Sequence, residues 1–279
     1  MRSRHGFNLI ELLIVIAIIG VLLGLFAGVV VQVREAANRT QCANNLAQIG
    51  KATHNYIGER ERMPPYASGG PGEISGGWMV HLLPYLEQQA AYDEMRKEQT
   101  PPPDAPFKVL TADPAGHSHL NFPVLMCPTD PHFGASISRT TYLANWYAFA
   151  AGNQGFYFTP PRLASLTDGL SSTVFFAEGY SLCDDLPRWA LFPVYYHNFG
   201  ITQDGLPSDD VSYLPDDFTM FQVQPRLNEC DKQRTQTAHT SMMVCLGDGS
   251  VRTVGRGISP LVWKQVLKPN DGQPSGSDW

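Results

Sequence analysis

Glu11 raises the sharpest chemical question in this sequence, because it stands at the start of an apolar run. The twenty residues from Leu12 to Val31 include no charged or strongly polar side chain. A charge at the centre of a membrane helix costs about 2.5–3.5 kcal/mol, and less near an end, where the side chain can reach the interface. A plain membrane anchor gains nothing from Glu11. The carboxylate is therefore either an interfacial residue without a role or a group that meets a cation.

Three aspartates in turn-forming segments are candidate calcium ligands: Asp130 in CPTDP, Asp168 in LTDGLSS and Asp248 in LGDGS. Ca²⁺ takes six to eight oxygen ligands, whereas an aspartate in a turn commonly bonds nearby backbone. Since the chain has no D-x-D-x-D spacing, we favour turn capping. We predict no metal or other cofactor, with a structural Ca²⁺ as the weaker alternative.

The histidines offer little for catalysis. For His117, His119 and His132 in loop-forming sequence, solvated side chains are favoured over a metal site. His239 is followed by two hydroxyl residues, but there is no G-x-S-x-G elbow, and adjacent residues on a strand point to opposite faces. The sequence thus predicts a protein that is not an enzyme.

The five cysteines, at positions 42, 127, 183, 230 and 245, form no C-x-x-C motif, so zinc-ribbon and thioredoxin-like interpretations have no support. We favour a disulfide between Cys42 and Cys127. The first lies on an amphipathic helix, and the second begins a turn expected to dock near it. Such a bond typically adds about 2–4 kcal/mol of stability. Two buried thiols are the alternative.

A long N-terminal helix must position these residues. The apolar run spans roughly 30 Å at about 1.5 Å per residue, the thickness of a hydrocarbon core. Arg2, Arg4 and His5 precede it, so the positive-inside rule predicts a single pass through the inner membrane with the N-terminus cytoplasmic. A removed secretory signal peptide is disfavoured, because the run is too long and no small-residue cleavage site follows it.

Beyond the apolar run the helix becomes amphipathic. One stripe recurs at spacings of four and three residues: Cys42, Leu46, Ile49, Thr53 and Tyr56. This pattern predicts a stem, over 34–60, that packs on an exported domain. Pro64-Pro65 is expected to end the helix.

The exported domain is predicted to be α+β with a mainly antiparallel sheet. Residues 78–95 indicate one or two short helices. Six β-prone runs follow, separated by Gly, Pro, Asp and Ser: 123–126, 141–149, 172–178, 192–197, 219–223 and 241–254. The last predicts a hairpin around Gly247–Ser250, and 259–268 predicts a helix with Ser259 as N-cap.

The block GFNLIE, between a basic leader and LLIVIAIIGVL, resembles the signal of type IV prepilins. In that family a membrane prepilin peptidase cuts after the glycine and methylates the new N-terminal residue. The resemblance implies a leader over 1–6, cleavage between Gly6 and Phe7, and N-methylation of Phe7. In an assembly with other pilin-like subunits, Glu11, fifth from Phe7, is expected to neutralise the new amine of a neighbour.

The corresponding domain division is a helix over 7–63, transmembrane at about 9–33, then an exported domain over 64–279 with a flexible C-terminal tail. Five blocks resemble a narrower bacterial family of undefined molecular function, which joins the prepilin signal to a C-terminal prepilin-processing-associated H-X9-DG motif: 33–56, 78–93, 126–131, 166–179 and 247–254. Here His239 precedes Asp248-Gly249 by eight residues instead of nine.

This resemblance implies an exported structural protein, a pseudopilin or minor pilin of a type II secretion or type IV pilus-like system, that reaches the cell surface after assembly. The alternative is a membrane-anchored binding protein or adhesin that uses the signal without polymerising. The net charge of −6 and the lack of a basic run argue against a nucleic-acid partner.

Overall fold

The computed structural model describes residues 9–65, 74, 76–98, 120–134, 138–149, 160–183, 186–188, 220–231, 234–273, 276 and 279. Gly6, Phe7, His117 and His119 lie outside the described residues. The chain divides into two compact units, Met1–Thr40 and Gln41–Trp279.

The first unit consists, in its described part, of the beginning of helix α1 (Leu9–Arg60). Large apolar side chains from Leu9 to Leu23 and from Val29 to Val33 are exposed, and that of Leu9 is 76 % exposed. Leaving apolar surface in water costs about 25 cal/mol per Å², so a lipid environment would stabilise this surface. The helix is long and apolar enough to cross a membrane, which agrees with the sequence prediction.

Beyond α1, the described elements of the second unit are, in chain order, α2 (Trp78–Leu82), α3 (Gln89–Glu98), β1 (Tyr142–Ala144), α4 (Trp146–Phe149), β2 (Val174–Glu178), β3 (Leu182–Cys183), β4 (Leu186–Pro187), β5 (Gln222–Val223), β6 (Gln236–Thr237), β7 (Met242–Leu246), β8 (Val251–Val254) and α5 (Pro260–Leu267). Short 3-10 turns cover Leu83–Leu86, Pro123–Leu125, Leu163–Ser165, Leu170–Ser172 and Leu227–Glu229. The α+β class predicted from the sequence is confirmed.

The continuation of α1 gives the second unit one side of its core. The predicted stripe is buried along its whole length: Cys42, Leu46, Ile49, Thr53 and Tyr56. The polar positions of the other faces are exposed: Asn44, Gln48, Lys51 and Asn55. The helix ends at Arg60, earlier than the two prolines, because Glu61 has a left-handed backbone with φ 58°.

A four-stranded antiparallel sheet with the order β1-β2-β7-β8 forms the centre of the second unit. Met243 and Cys245 of β7 lie in the core cluster that contains the α1 stripe. Met242 and Val244 lie in a second cluster, with α5. Because both faces are covered, the strand sequence MMVCL is apolar throughout and does not alternate.

A bulge in β2 brings two aromatic residues to one face of this sheet. Val174 pairs with Leu246 and Phe176 with Cys245, which leaves Phe175 as the extra residue. Both phenylalanines belong to the cluster on the α1 side.

The hairpin and the last helix predicted from the sequence are confirmed. β7 and β8 pair as antiparallel neighbours, and Gly249 in their turn has φ 84°, a conformation that glycine adopts at least cost. The Ser259 hydroxyl accepts a hydrogen bond from Val262 N at 3.2 Å, as an N-cap does.

Three of the β predictions are wrong in part. Pro123, with its fixed φ, opens a 3-10 turn over the run 123–126. In the run 141–149 the strand stops after Ala144, because Asn145 Oδ1 accepts from Tyr147 N at 3.1 Å and starts α4. The run 219–223 keeps only β5, which pairs in parallel with β6. The predicted strand over 192–197 lies outside the described residues.

Candidate functional site

Glu11 lies in the first turn of α1, with its side chain exposed. Its apolar neighbours Ile10 and Leu12 are 62 % and 57 % exposed. The carboxylate thus sits among apolar side chains on an uncovered part of the helix.

In the second unit, Cys42 and Cys127, the pair favoured from the sequence, are joined by a disulfide with a Cα–Cα distance of 5.2 Å. The bond links α1 to the segment after the Pro123–Leu125 turn. A second disulfide, Cys183–Cys230, was not foreseen, and Cys245 is a buried free thiol.

His239 lies against the first disulfide and is fully buried. Its Nε2 atom is 3.4 Å from Cys127 Sγ, 3.1 Å from Thr129 Oγ1 and 3.6 Å from Glu178 Oε1. We call Cys42, Cys127, Thr129, Glu178 and His239 the His239 cluster. The structure therefore brings together three residues singled out in the sequence, at positions 42, 127 and 239, with two that were missed.

Glu178 is held at the end of β2 by bonds to one carboxylate oxygen. Thr237 Oγ1 donates to Oε2 at 2.6 Å and Met243 N at 3.0 Å. Thr237 Oγ1 also accepts from His239 N at 3.1 Å, so one hydroxyl positions both residues. A charged residue that closes the apolar strand VFFAE was the sequence feature that could have drawn attention to Glu178, since burying a carboxylate requires partners.

Tyr142 packs beside the cluster as a neutral hydrogen-bonding group. Burial, and to a smaller extent the charge of Glu178, raises the pKa of the Tyr142 hydroxyl. Staying protonated, it donates to Cys42 O at 3.4 Å and accepts from Asn45 Nδ2 at 3.2 Å. Asn45 in turn donates to Met126 O at 3.0 Å, which ties α1 to the Cys127 segment a second time.

The two parts of the H-DG motif lie at opposite ends of one strand. His239 precedes β7, and Asp248-Gly249 follows it in the hairpin turn. Five strand residues span roughly 16 Å, so Asp248 and Gly249 do not join the His239 cluster. Asp248 Oδ1 instead accepts from Ser250 N at 2.9 Å and from its hydroxyl at 2.6 Å.

The other two calcium candidates also accept hydrogen bonds from the protein. Asp130 accepts from Ser181 N and Oγ at 2.9 and 2.7 Å, and from His132 N at 2.9 Å. Asp168 accepts from the backbone of Asp271 and Gly272 at 2.8 and 3.1 Å. Asp168 therefore gives this part of the C-terminal tail, predicted to be flexible, defined partners.

Among the described residues, one group of His, Cys and acidic side chains brings its ligand atoms within 4.8 Å of one another: Cys42, Cys127, Glu178 and His239. As found, the two sulfurs are bonded to each other and are not available as nucleophiles. The arrangement is a covalent crosslink that lies beside two buried polar side chains, those of Glu178 and His239.

An apolar N-terminal helix precedes an α+β domain, and a disulfide joins the later part of that helix to the domain. This architecture is typical of an anchored, exported protein. The chain belongs to the family described as "Protein of unknown function (DUF1559)", whose model matches residues 31–260. Residues 1–27 match the prokaryotic N-terminal methylation motif. The protein is thus prepilin-like, processed by a prepilin peptidase and associated with the membrane. No curated protein and no solved structure matches it.

Proposed function

We propose that this protein is a structural, non-enzymatic subunit of a type II secretion or type IV pilus-like assembly. It is cut between Gly6 and Phe7 and methylated on Phe7. It is inserted in the inner membrane with its N-terminus cytoplasmic and its domain exported, and it packs helix to helix with other pilin-like subunits. The observation that carries the proposal is the methylation motif over residues 1–27. The described helix that begins at Leu9 supports it, because its large apolar side chains up to Leu23 are exposed.

The exposed face of α1 fits two successive environments. Lipid covers apolar side chains in the anchored subunit, and neighbouring helices cover the same side chains after assembly. Neither transfer exposes them to water, so a subunit can move between the two at small hydrophobic cost. This supports packing through the helix, with the exported domain carried outside.

Glu11 gives this packing a register. Cleavage creates a cationic amine on Phe7, and a carboxylate and an amine are each costly in low dielectric but much less so when paired. When the Glu11 carboxylate of one subunit meets the Phe7 amine of the next, the axial stagger of adjacent helices is fixed. Removing the leader also takes away Arg2 and Arg4, which leaves 18 Lys and Arg against 26 Asp and Glu.

The first test is the mature N-terminus. Mass spectrometry of the full chain recovered from its membrane should give N-methyl-Phe7 as the first residue. The Gly6→Leu variant should not be cleaved and should still carry its leader. Gly20→Ala is the matched control, since nothing lies within 4 Å of the added carbon, and should be processed normally. A native chain that still carries its leader would overturn the proposal.

The second test separates assembly from simple anchoring. Glu11→Ala should be cleaved and abundant but lose crosslinks between subunits in intact membranes by several-fold or more. Glu35→Ala, an exposed acidic residue later on the same helix, should keep them. If both variants and the wild type are processed but none crosslinks to a pilin-like subunit, the anchored binding protein is the correct interpretation.

A further inference from the structure

The His239 cluster contains four potential metal ligands from four separate parts of the second unit. Cys42 comes from α1, Cys127 from the segment after the Pro123–Leu125 turn, Glu178 from the end of β2 and His239 from the segment before β7. All four residues are buried. Their ligand atoms lie within 4.8 Å of one another, which is close enough for one ion to reach all four.

Two distances within this group match the edges of a zinc tetrahedron. With Zn–S of about 2.3 Å and Zn–N or Zn–O of about 2.0 Å, neighbouring ligand atoms are roughly 3.3–3.8 Å apart. Cys127 Sγ and His239 Nε2 are 3.4 Å apart, and His239 Nε2 and Glu178 Oε1 are 3.6 Å apart. The two sulfurs, which are bonded to each other, must separate to occupy two corners.

The residues around the group already orient the ligands. Thr237 Oγ1 and Met243 N both donate to Glu178 Oε2, so Oε1 is the oxygen turned toward His239 Nε2. Thr237 Oγ1 also accepts from the backbone N of His239. Hydrogen bonds of this kind to a carboxylate ligand and its neighbours fix orientation in metal sites.

We propose that the Cys42–Cys127 pair, when reduced, holds a Zn²⁺ ion together with Glu178 and His239, and that the disulfide is the oxidised alternative of the same site. A dithiol or phosphine reductant supplies two electrons, and with two protons the disulfide becomes two thiols. Zn²⁺ then displaces those two protons to form two Zn–S bonds. Two thiolates, one carboxylate and a neutral imidazole suit tetrahedral Zn²⁺.

The consequence is a crosslink that exists in both redox states. The disulfide joins α1 to the Cys127 segment when the surroundings are oxidising. The ion joins the same two segments when the surroundings are reducing, and adds the end of β2 and the segment before β7.

The test uses the full chain in detergent with Co²⁺ as the probe. The protein is reduced with a phosphine, and the reductant is then removed under anaerobic conditions. The reduced chain is titrated with Co²⁺. The reduced chain should bind a single Co²⁺ with thiolate charge-transfer and tetrahedral d–d absorption, and Zn²⁺ should displace it. The oxidised chain should show neither band. Absence of both bands from the reduced wild type would overturn the proposal.

Variants assign the ligands. Cys42→Ser combined with Cys127→Ser should abolish the bands, whereas Cys183→Ser combined with Cys230→Ser, which removes the other thiol pair, should keep them. His239→Ala should weaken Co²⁺ binding at least tenfold, and His239→Cys should restore it with stronger charge transfer. Restoration shows that the loss in His239→Ala is not misfolding. Unchanged affinity in His239→Ala, or bands that survive loss of Cys42 and Cys127, would refute the site.

Discussion

The hydroxyl of Thr237, together with the backbone N–H of Met243, allows the second unit to bury a carboxylate. Glu178 is 3 % exposed, and a buried carboxylate without partners costs several kcal/mol. Thr237 donates to it and at the same time accepts from the backbone of His239. The geometry of the His239 cluster thus depends on Thr237, which is bonded to Glu178 and His239 and not, in the bonds described, to either sulfur.

Replacing Thr237 by valine should therefore destabilise the protein strongly, although it hardly changes the volume of the side chain. Thr237→Val keeps the volume but removes a donor to a buried charge and an acceptor for a buried N–H, which should lower the free energy of unfolding by about 2 kcal/mol or more. Chemical denaturation of the chain in detergent measures it. Thr253→Val, on an exposed position of β8, should stay within about 0.5 kcal/mol; equal effects would contradict the argument.

The thiol of Cys245 should not react with thiol reagents until the protein unfolds. Burial, with a smaller contribution from Asp248, raises the pKa of its thiol from the ordinary 9.0 to about 12. A thiol-specific chromogenic disulfide should detect no thiol in the native chain at pH 8 and one after denaturation. Because the folded pKa is the higher, its contribution to stability is complete below pH 9 and is lost as the pH rises from 9 to about 12. Rapid native labelling would disprove the placement.

At the scale of elements, the close contact between α1 and the β7–β8 hairpin depends on a glycine, Gly50, at the point of approach. A Cβ atom added to Gly50 would lie 2.7 Å from Cys245 Sγ and 3.4 Å from Gly249 Cα. The helix and the hairpin therefore approach more closely than an alanine allows. Gly50 is unfavourable for helix formation by about 1 kcal/mol relative to alanine, and close packing offsets that cost.

Alanine at this position should move the helix away from the hairpin. Gly50→Ala should lower the free energy of unfolding by about 1–3 kcal/mol through overpacking. Gly58→Ala is the matched control on the same helix, because nothing lies within 4 Å of the added carbon, and it should raise stability by up to about 1 kcal/mol. Adding Cys245→Ala to Gly50→Ala should recover part of the loss. Stabilisation by both alanines would show that the approach is not tight.

Elements with local determinants could be predicted, and those set by distant partners could not. The hairpin turn needs only the glycines around Asp248, and α5 needs only the Ser259 cap and its apolar periodicity. The end of β1 depends instead on Asn145, whose Nδ2 donates to Val174 O at 2.7 Å and Leu267 O at 2.8 Å. These partners are distant in sequence, and no residue near Asn145 indicates them. The run 141–149 is therefore predicted as one strand.

The same distinction holds for the cluster. Cys42 and Cys127 could be paired from sequence because an amphipathic stem and a docking turn each have a local pattern. Glu178 ends β2, and Thr237 lies in β6, which precedes β7 in the chain. The two meet because β7 is the neighbour of β2 in the sheet, although they are 59 residues apart in sequence. Their cooperation with His239 follows from the tertiary fold alone.

At the scale of the whole molecule, α1 serves two purposes along one continuous helix. Its first part supplies none of the buried core residues, which begin at Cys42 among the described residues. Its later part supplies Cys42, Leu46, Ile49 and Tyr56 to the main core cluster. The anchor can thus be removed without touching the core, whereas the stem is an internal part of the exported domain.

Two truncations should therefore behave in opposite ways. A chain that starts at Gln41 keeps the stripe and the Cys42–Cys127 disulfide, so it should be soluble without detergent and unfold cooperatively. A chain that starts at Gly58 loses three large core side chains, Leu46, Ile49 and Tyr56, at about 1.5–3 kcal/mol each. It also loses a disulfide that closes a loop of 85 residues, worth about 4.5 kcal/mol in the chain-entropy model. Since a domain's total stability is about 5–15 kcal/mol, it should aggregate. Size exclusion and thermal melts compare the two, and a cooperative melt of the shorter chain would show that the stem is dispensable.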